Sequence, residues 1–349
     1  VKKPIIGITV GDPNGIGPEV ALKCLLPGSG VHDVCVPVLF GPAEVFRTAA
    51  HRSRSRIEVR FHPLEEALAP EPDSQHSPRN TVRAFIAPLP HPRGFTVNPG
   101  AVSARAGRIA ADAIRAAVQA ARAGVIRAVV TAPVSKHALH RAGVRFPGQT
   151  EFLQHLTGSP RVAMILAAGE FRVGLATIHV PLRHVSRLLT RARLASRIET
   201  IHEALVRDWG IRNPSVAVLG LNPHAGEAGD LGGEEQRVIE PVLRALRRGG
   251  MDLHGPFPAD AFFGRGLHRR YSAVVAMYHD QGLIPLKMAA QGTAVNVSVG
   301  LPIVRTSPDH GTGFDIAGSW RADPSSMIGA VRLAARIARA RAAALRRNP

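Results

Sequence analysis

Short apolar runs alternate with longer helical stretches along this chain, and that alternation leaves few folds open. A strand feeding a helix feeding the next strand is the pattern of βαβ units around mostly parallel sheets. The runs at 5–10, 34–40, 128–131, 162–167, 173–179, 215–219 and 273–278 are expected as buried strands. Helical spacing of apolar residues predicts helices over 102–123, 194–209, 234–248 and 327–345. In the last of these, Met327, Ile328, Val331, Ala335, Ile337 and Ala338 form a stripe, with arginines at other positions. Such a helix packs on a core and shows its basic side to water. At 349 residues the chain is long for one core, so two α/β units are expected. The break is expected where Thr131-Ala132-Pro133 closes a strand, giving a first unit of 1–131 with 312–349 and a second of 132–311. Residues 51–98, rich in Pro, Arg and His, are expected to hold loops and weak elements.

Three of the apolar runs end in a histidine beside a turn. They are Leu175-Ala176-Thr177-Ile178-His179-Val180-Pro181, Gly220-Leu221-Asn222-Pro223-His224-Ala225-Gly226-Glu227 and Val275-Ala276-Met277-Tyr278-His279-Asp280. Each reads as a strand delivering one imidazole to the mouth of a sheet. Taken singly, a histidine on an apolar run is more often a satisfied core residue than a ligand. Taken together, three imidazoles at strand ends suit a divalent metal with positions left open for a substrate. Both readings stand on spacing alone.

Other segments carry polar groups in suggestive places. The first strand runs into Gly11-Asp12-Pro13-Asn14-Gly15-Ile16-Gly17-Pro18-Glu19, with Pro18 suited to a first helical turn. This loop lacks the Gly-Lys-Ser/Thr of a Walker loop and the last glycine of a dinucleotide fingerprint. It is a tight turn or an anion cradle. Near 141–153, Gln149 and Thr150 open a segment in which Thr150 is placed to cap a helix or to clamp a substrate. After the third histidine come Lys287, Asn296 and Arg305, then Asp309-His310-Gly311-Thr312-Gly313-Phe314-Asp315. Lys287 and Arg305 stand in apolar surroundings, where a cation needs an internal partner or an anionic ligand.

Composition narrows the partners. The net charge of +18 is spread along the chain, as in Arg52, Arg54, Arg56 and Arg60 or Arg332, Arg336, Arg339 and Arg341. Aromatic residues are only 5%, too few to stack on bases, so no nucleic acid is expected. No run approaches the ~18 apolar residues of a membrane span, and no membrane association is expected. The chain enters a strand within its first residues without an apolar leader, and cytoplasmic residence is the expectation. Only Cys24 and Cys35 are present, without a CxxC pair, which argues against thiolate metal sites and disulfide frameworks.

The motifs Gly11 to Glu19, Asn222 to Glu227, Gly255-Pro256-Phe257-Pro258-Ala259-Asp260, Tyr278 to Gly282 and Asp309 to Thr312, in this order, resemble those of the PdxA family of 4-hydroxythreonine-4-phosphate dehydrogenases. The resemblance runs nearly end to end. It implies two αβα domains of the isocitrate/isopropylmalate dehydrogenase-like type, with the active site in the cleft and at a homodimer interface. It implies metal ligation by His179, His224 and His279, the third arriving from the partner subunit, and substrate contacts from Gln149, Thr150, Lys287, Asn296 and Arg305. At Gln149 the chain departs from the family, which usually has His there. The implied reaction is oxidation of 4-phosphohydroxy-L-threonine with NAD or NADP and one divalent ion (zinc, magnesium, cobalt or manganese). The product, 2-amino-3-oxo-4-phosphooxybutanoate, decarboxylates to 3-amino-2-oxopropyl phosphate. Lys287, Asp260 and Asp280 are the implied catalytic groups, and Asn14, His310, Gly311, Thr312 and Asp315 the cofactor contacts. Alternatives are a relative acting on threonate or erythronate 4-phosphate, a phosphate acyltransferase, and a non-catalytic metal- or phosphate-binding protein.

Overall fold

The computed structural model describes residues 2–53, 58–68, 81–90 and 92–347. The chain forms two compact units, Val1–Gly158 with Pro302–Arg339 and Ser159–Leu301 with Ala340–Pro349. Residues 132–158 and 302–311 therefore group with the first unit, where the expectation had them in the second. Pairing explains the difference. The strand Arg305–Pro308 adds in parallel to the strand Ala128–Val130, and the helix Lys136–Arg141 packs on the helix Ala104–Arg122.

The first unit holds β1 (Ile5–Thr9), β2 (Val36–Gly41), β3 (Glu58–Pro63), β4 (Thr81–Pro88), β5 (Ala128–Val130) and β12 (Arg305–Pro308). They lie in the order β3-β4-β2-β1-β5-β12, with every pair parallel. β1 is buried at every position, as a strand covered on both faces must be. It is also where the winding reverses, with β2 on one side and β5 on the other. The loops leaving β1 and β5 thus flank a topological switch point, the place where open α/β sheets gather ligands. The long helix Ala104–Arg122 starts at Ser103, whose Oγ accepts from the Ala106 N–H at 3.1 Å. Within 51–98, expected to be irregular, β3 and β4 pair in register from Glu58↔Thr81 to Pro63↔Ile86. Residues 54–57, 69–80 and 91, with them Arg54 and Arg56, lie outside the described residues.

The second unit holds β6 (Ala163–Ala168), β7 (Phe171–Leu175), β8 (Val216–Leu219), β9 (Leu253–Phe257), β10 (Ala273–Ala276) and β11 (Val295–Val299), in the order β11-β6-β7-β10-β8-β9. The hairpin β6-β7 and the β11-β6 pair are antiparallel, and the remaining pairs are parallel. Met164, Leu166, Val173, Leu175, Leu219, Val274, Leu283 and Leu286 share one core, which seats the helix His279–Ala290 on this sheet. Among the described residues no helix is long and apolar enough to cross a membrane.

Candidate active site

The strands β7, β10 and β8 are consecutive parallel neighbours, and each is followed by one of the three histidines. The expectation of imidazoles at strand ends is therefore met in the backbone. Two of the rings come together: His179 and His279 have centroids 5.5 Å apart. Their strands carry them there, since β7 and β10 stay joined past their ends through Thr177 N–H to the Met277 carbonyl at 3.2 Å. His279 Nδ1 bonds Asp280 Oδ1 at 2.7 Å. A carboxylate accepts only, so Nδ1 carries the proton, and of the two neutral tautomers the pair selects the one whose Nε2 lone pair a metal requires.

His224 does not join them. Among the described residues no three His, Cys, Asp or Glu side chains stand close enough to hold a metal ion. The resemblance implies a set completed across a dimer, with His279 given by the partner subunit, and a single chain does not close such a set. The His224 segment is wound unusually, with φ between +43° and +84° from His224 through Ala228. The start of this loop is held by Glu235, which spacing did not single out. Its buried carboxylate accepts from the N–H groups of Leu221 and Asn222 at 2.7 and 2.8 Å and from Asn222 Nδ2 at 2.9 Å. Gly226 is packed against the same carboxylate, where a Cβ would lie 2.7 Å from Glu235 Oε2.

The other expected groups of this unit are more exposed than apolar spacing suggested. Lys287 lies on the exposed side of its helix, not in apolar surroundings, and Asp260 is exposed in the first turn of Ala259–Gly264. Asp280 is exposed too, apart from its bond to His279. Asn296 sits on β11 with its Oδ1 buried and unpartnered.

In the first unit the loop after β1 and the glycine turn at 310–313 meet. Ile16 N–H donates to the Thr312 carbonyl at 2.9 Å, and a Cβ on Gly15 would lie 2.7 Å from that oxygen. Glu19 and Lys23 pin the turn's far side: Glu19 Oε1 accepts from the Ala322 N–H at 2.7 Å, and Lys23 Nζ donates to the carbonyls of Trp320 and Ala322 at 3.0 and 2.7 Å. So Asn14 and His310 to Thr312, expected together at a cofactor, do share one corner. Asn14 is a strut within it. Its Nδ2 donates to the Ala101 carbonyl and its Oδ1 accepts from the Asn98 N–H, both at 2.8 Å, which leaves its buried amide committed. His310 bonds the Gly311 carbonyl through Nδ1 at 3.1 Å and has a buried, unpartnered Nε2, while Asp315 is exposed.

Arg305 opens β12 and is only 2% exposed. Its Nε and Nη2 donate to Thr131 Oγ1 at 3.1 and 2.6 Å, and Nη2 also donates to Gln149 Oε1 at 3.1 Å. Burial lowers its pKa to about 10, against the field of Glu151, so it stays charged at neutral pH. Gln149 is the first residue of the helix Gln149–Thr157, whose N-cap is Gly148, so Thr150 lies buried inside the first turn instead of capping it.

Asp12, also missed by spacing, is fully buried in the loop after β1. Its Oδ1 accepts from the Asn14 N–H at 2.9 Å, and its Oδ2 has no close donor. Burial pushes its pKa up to about 6, against the pull of the backbone amides of Asn14 and Ser135. The fold thus favours the protonated acid, and that stabilisation is full below pH ~4 and lost as pH rises through ~6. Asp12→Asn keeps the acceptor and removes the charge. Urea unfolding should find the variant equal to wild type near pH 4 and more stable above pH 7, by about 3 kcal/mol at most. A stability difference that does not change with pH would contradict this.

Parallel strands that release polar groups at their carboxyl ends, with a charged arginine kept among them, place the chain in the ligand-binding α/β class. Within that class it belongs to the PdxA family: the family described as pyridoxal phosphate biosynthetic protein PdxA matches residues 33–334. The 4-hydroxythreonine-4-phosphate dehydrogenase of Desulforapulum autotrophicum is 40% identical over 334 residues, covering 96% of this chain and 95% of that protein. A crystal structure of the enzyme of that name from Klebsiella pneumoniae superposes with a TM-score of 0.83 at 38% identity, covering 96% of this chain and 98% of that one. A terephthalate 1,2-cis-dihydrodiol dehydrogenase from Burkholderia xenovorans gives a TM-score of 0.62 at 33% identity, covering 96% and 98%.

Proposed function

We propose that this chain is an oxidoreductase of pyridoxal phosphate biosynthesis that oxidises the C3 hydroxyl of 4-phosphohydroxy-L-threonine with NAD or NADP. The product is a β-keto acid, which loses carbon dioxide to leave 3-amino-2-oxopropyl phosphate. The name shared by relatives at about 40% identity over nearly the whole chain supports this substrate. The observation that carries the chemistry is the His179–His279 pair, with Asp280 holding the second ring in its ligand tautomer.

The donor set suits a divalent ion of the zinc, magnesium, cobalt or manganese group, with His179 and His279 as its holders and His224 as the third. When bound, such an ion acidifies the substrate hydroxyl while the nicotinamide takes up the hydride. The chain's own groups do the rest. Asp280 fixes the ring of His279, and Arg305 grips the substrate's phosphate or carboxylate, with Gln149, Thr150 and Asn296 as further contacts. Lys287 and Asp260, both exposed, are assigned to carrying the hydroxyl proton to water. The turn from His310 to Thr312 and Asp315 is assigned to the cofactor, with Asn14 shaping it.

A homodimer is part of this reading. Ile284 and Met288 lie one turn apart on the exposed side of the helix that begins at His279, and Leu182 is exposed as well, apolar surface that a second copy of the chain would cover. Both cysteines are free and buried, as suits the cytoplasm.

The test follows absorbance of the reduced nicotinamide with added divalent metal and three substrates: 4-phosphohydroxy-L-threonine, 4-phospho-D-threonate and 4-phospho-D-erythronate. Metal-dependent reduction with the first is expected. Turnover only with a sugar acid phosphate would assign the chain to another substrate. The family departure at Gln149, together with the dihydrodiol relative, makes that the second reading. No reduction with any of the three would overturn the oxidoreductase assignment.

A further inference from the structure

Donors and acceptors around Arg305 lead to a residue that no motif marked. Thr131 follows β5, is fully buried, and is fixed to β12 by its N–H bond to the Thr306 carbonyl at 3.0 Å. Its hydroxyl oxygen accepts from Arg305 twice, from Nε at 3.1 Å and from Nη2 at 2.6 Å. Two acceptor positions are all a hydroxyl has, so its own proton must point away from the guanidinium. Among the described residues nothing accepts that proton. Gln149 obeys the same constraint. A guanidinium only donates, so the Gln149 amide must face Nη2 with Oε1, at 3.1 Å, and turn its Nε2 hydrogens elsewhere. No described residue accepts those either.

We propose that Thr131, Gln149 and Arg305 form one oxyanion subsite, and that Thr131 is a further binding residue for a terminal anionic group of the ligand, a phosphate or a carboxylate. A phosphate or carboxylate oxygen is an acceptor without hydrogens of its own at neutral pH, the complement of a corner whose unspent groups are all donors. The three residues come from the end of β5, the start of a helix and the start of β12, so a single anion is gripped by three separate elements. The proposal rests on the reading in which Arg305 holds the substrate's anion. It adds that the arginine is oriented by a hydroxyl that also reaches the ligand.

The experiment is calorimetric titration of the full chain with inorganic phosphate and, separately, with acetate at equal ionic strength. It compares wild type with Thr131→Val, Thr131→Ser, Gln149→Met and Arg305→Met. Phosphate binding by wild type should weaken about tenfold or more in Thr131→Val and stay within about threefold in Thr131→Ser, with unchanged melting temperatures. Should Thr131→Val fail to fold, Gln149→Met is expected to show a loss of several-fold and carries the test. The same variant pattern with acetate instead of phosphate supports the subsite and assigns it to the carboxylate. Wild-type affinity in Thr131→Val, with binding lost in Arg305→Met, removes Thr131 from the subsite while leaving the arginine reading intact. Undiminished binding in Arg305→Met, or no binding of either anion by wild type, overturns the arginine reading and this proposal with it.

Discussion

Arg305→Met is expected to raise KM for the phosphorylated substrate about a hundredfold or more, with a melting temperature close to that of wild type. Hydrogen bonds to a charged group contribute about 1.5–3 kcal/mol each, and a guanidinium on an oxyanion commonly makes two. The side chain is almost wholly buried, so water cannot take its place. The fold should tolerate the change because methionine fills a similar length and a buried cation carries a desolvation cost that vanishes with it. Steady-state kinetics alongside thermal unfolding separates the outcomes. An unchanged KM would take Arg305 out of substrate binding, and a collapse in melting temperature would make it a structural residue.

His279→Ala should reduce turnover to background and abolish retention of a divalent ion in equilibrium dialysis. His279 is held by Asp280 and by the strand β10 that precedes it. Without it, the proposed set of His179, His279 and His224 is broken, and the two imidazoles left hold a metal more weakly against water. Asp280→Asn is the graded companion. It keeps the size but weakens the hold on Nδ1, and such loss around a metal ligand typically costs ~10–100-fold in metal affinity. Normal turnover in His279→Ala would sink the assignment of the site.

Much of the backbone was legible because a strand in a parallel sheet is apolar throughout, and β1, β5, β8 and β10 all read that way. β3 was missed for the opposite reason. Its sequence, Glu58-Val59-Arg60-Phe61-His62-Pro63, alternates polar and apolar residues at the sheet's margin and offers no continuous run. The unit boundaries were misread because the pairing of β5 with β12 joins residues far apart in the chain, which no local pattern encodes. Histidines at strand ends could be read from spacing, but the distances among them could not. His224 sits in a loop of positive φ whose first residues are held by a buried glutamate eleven residues later. Lys287 and Asn14 show the limit for single side chains, since an apolar neighbourhood in sequence left the lysine exposed and a loop asparagine became a brace. Thr131 carried no signal at all, being one more hydroxyl at the end of a strand until Arg305 folded onto it.

The split of the first unit also sets an order of events during synthesis. Residues 159–301 are continuous and contain β6 to β11, so those strands can pair once residue 299 has left the ribosome. The strands of the first unit must wait longer. Of these, β1 to β5 are made early, yet β5 keeps an open edge until β12 emerges some 170 residues later, at translation rates of roughly 5–20 residues per second. During that interval the nascent chain shows an unpaired strand edge and the uncovered groove meant for its own C-terminal helix. Association with other nascent chains is the hazard of that interval, and the earlier folding of the inserted unit shortens the tether over which β12 must search.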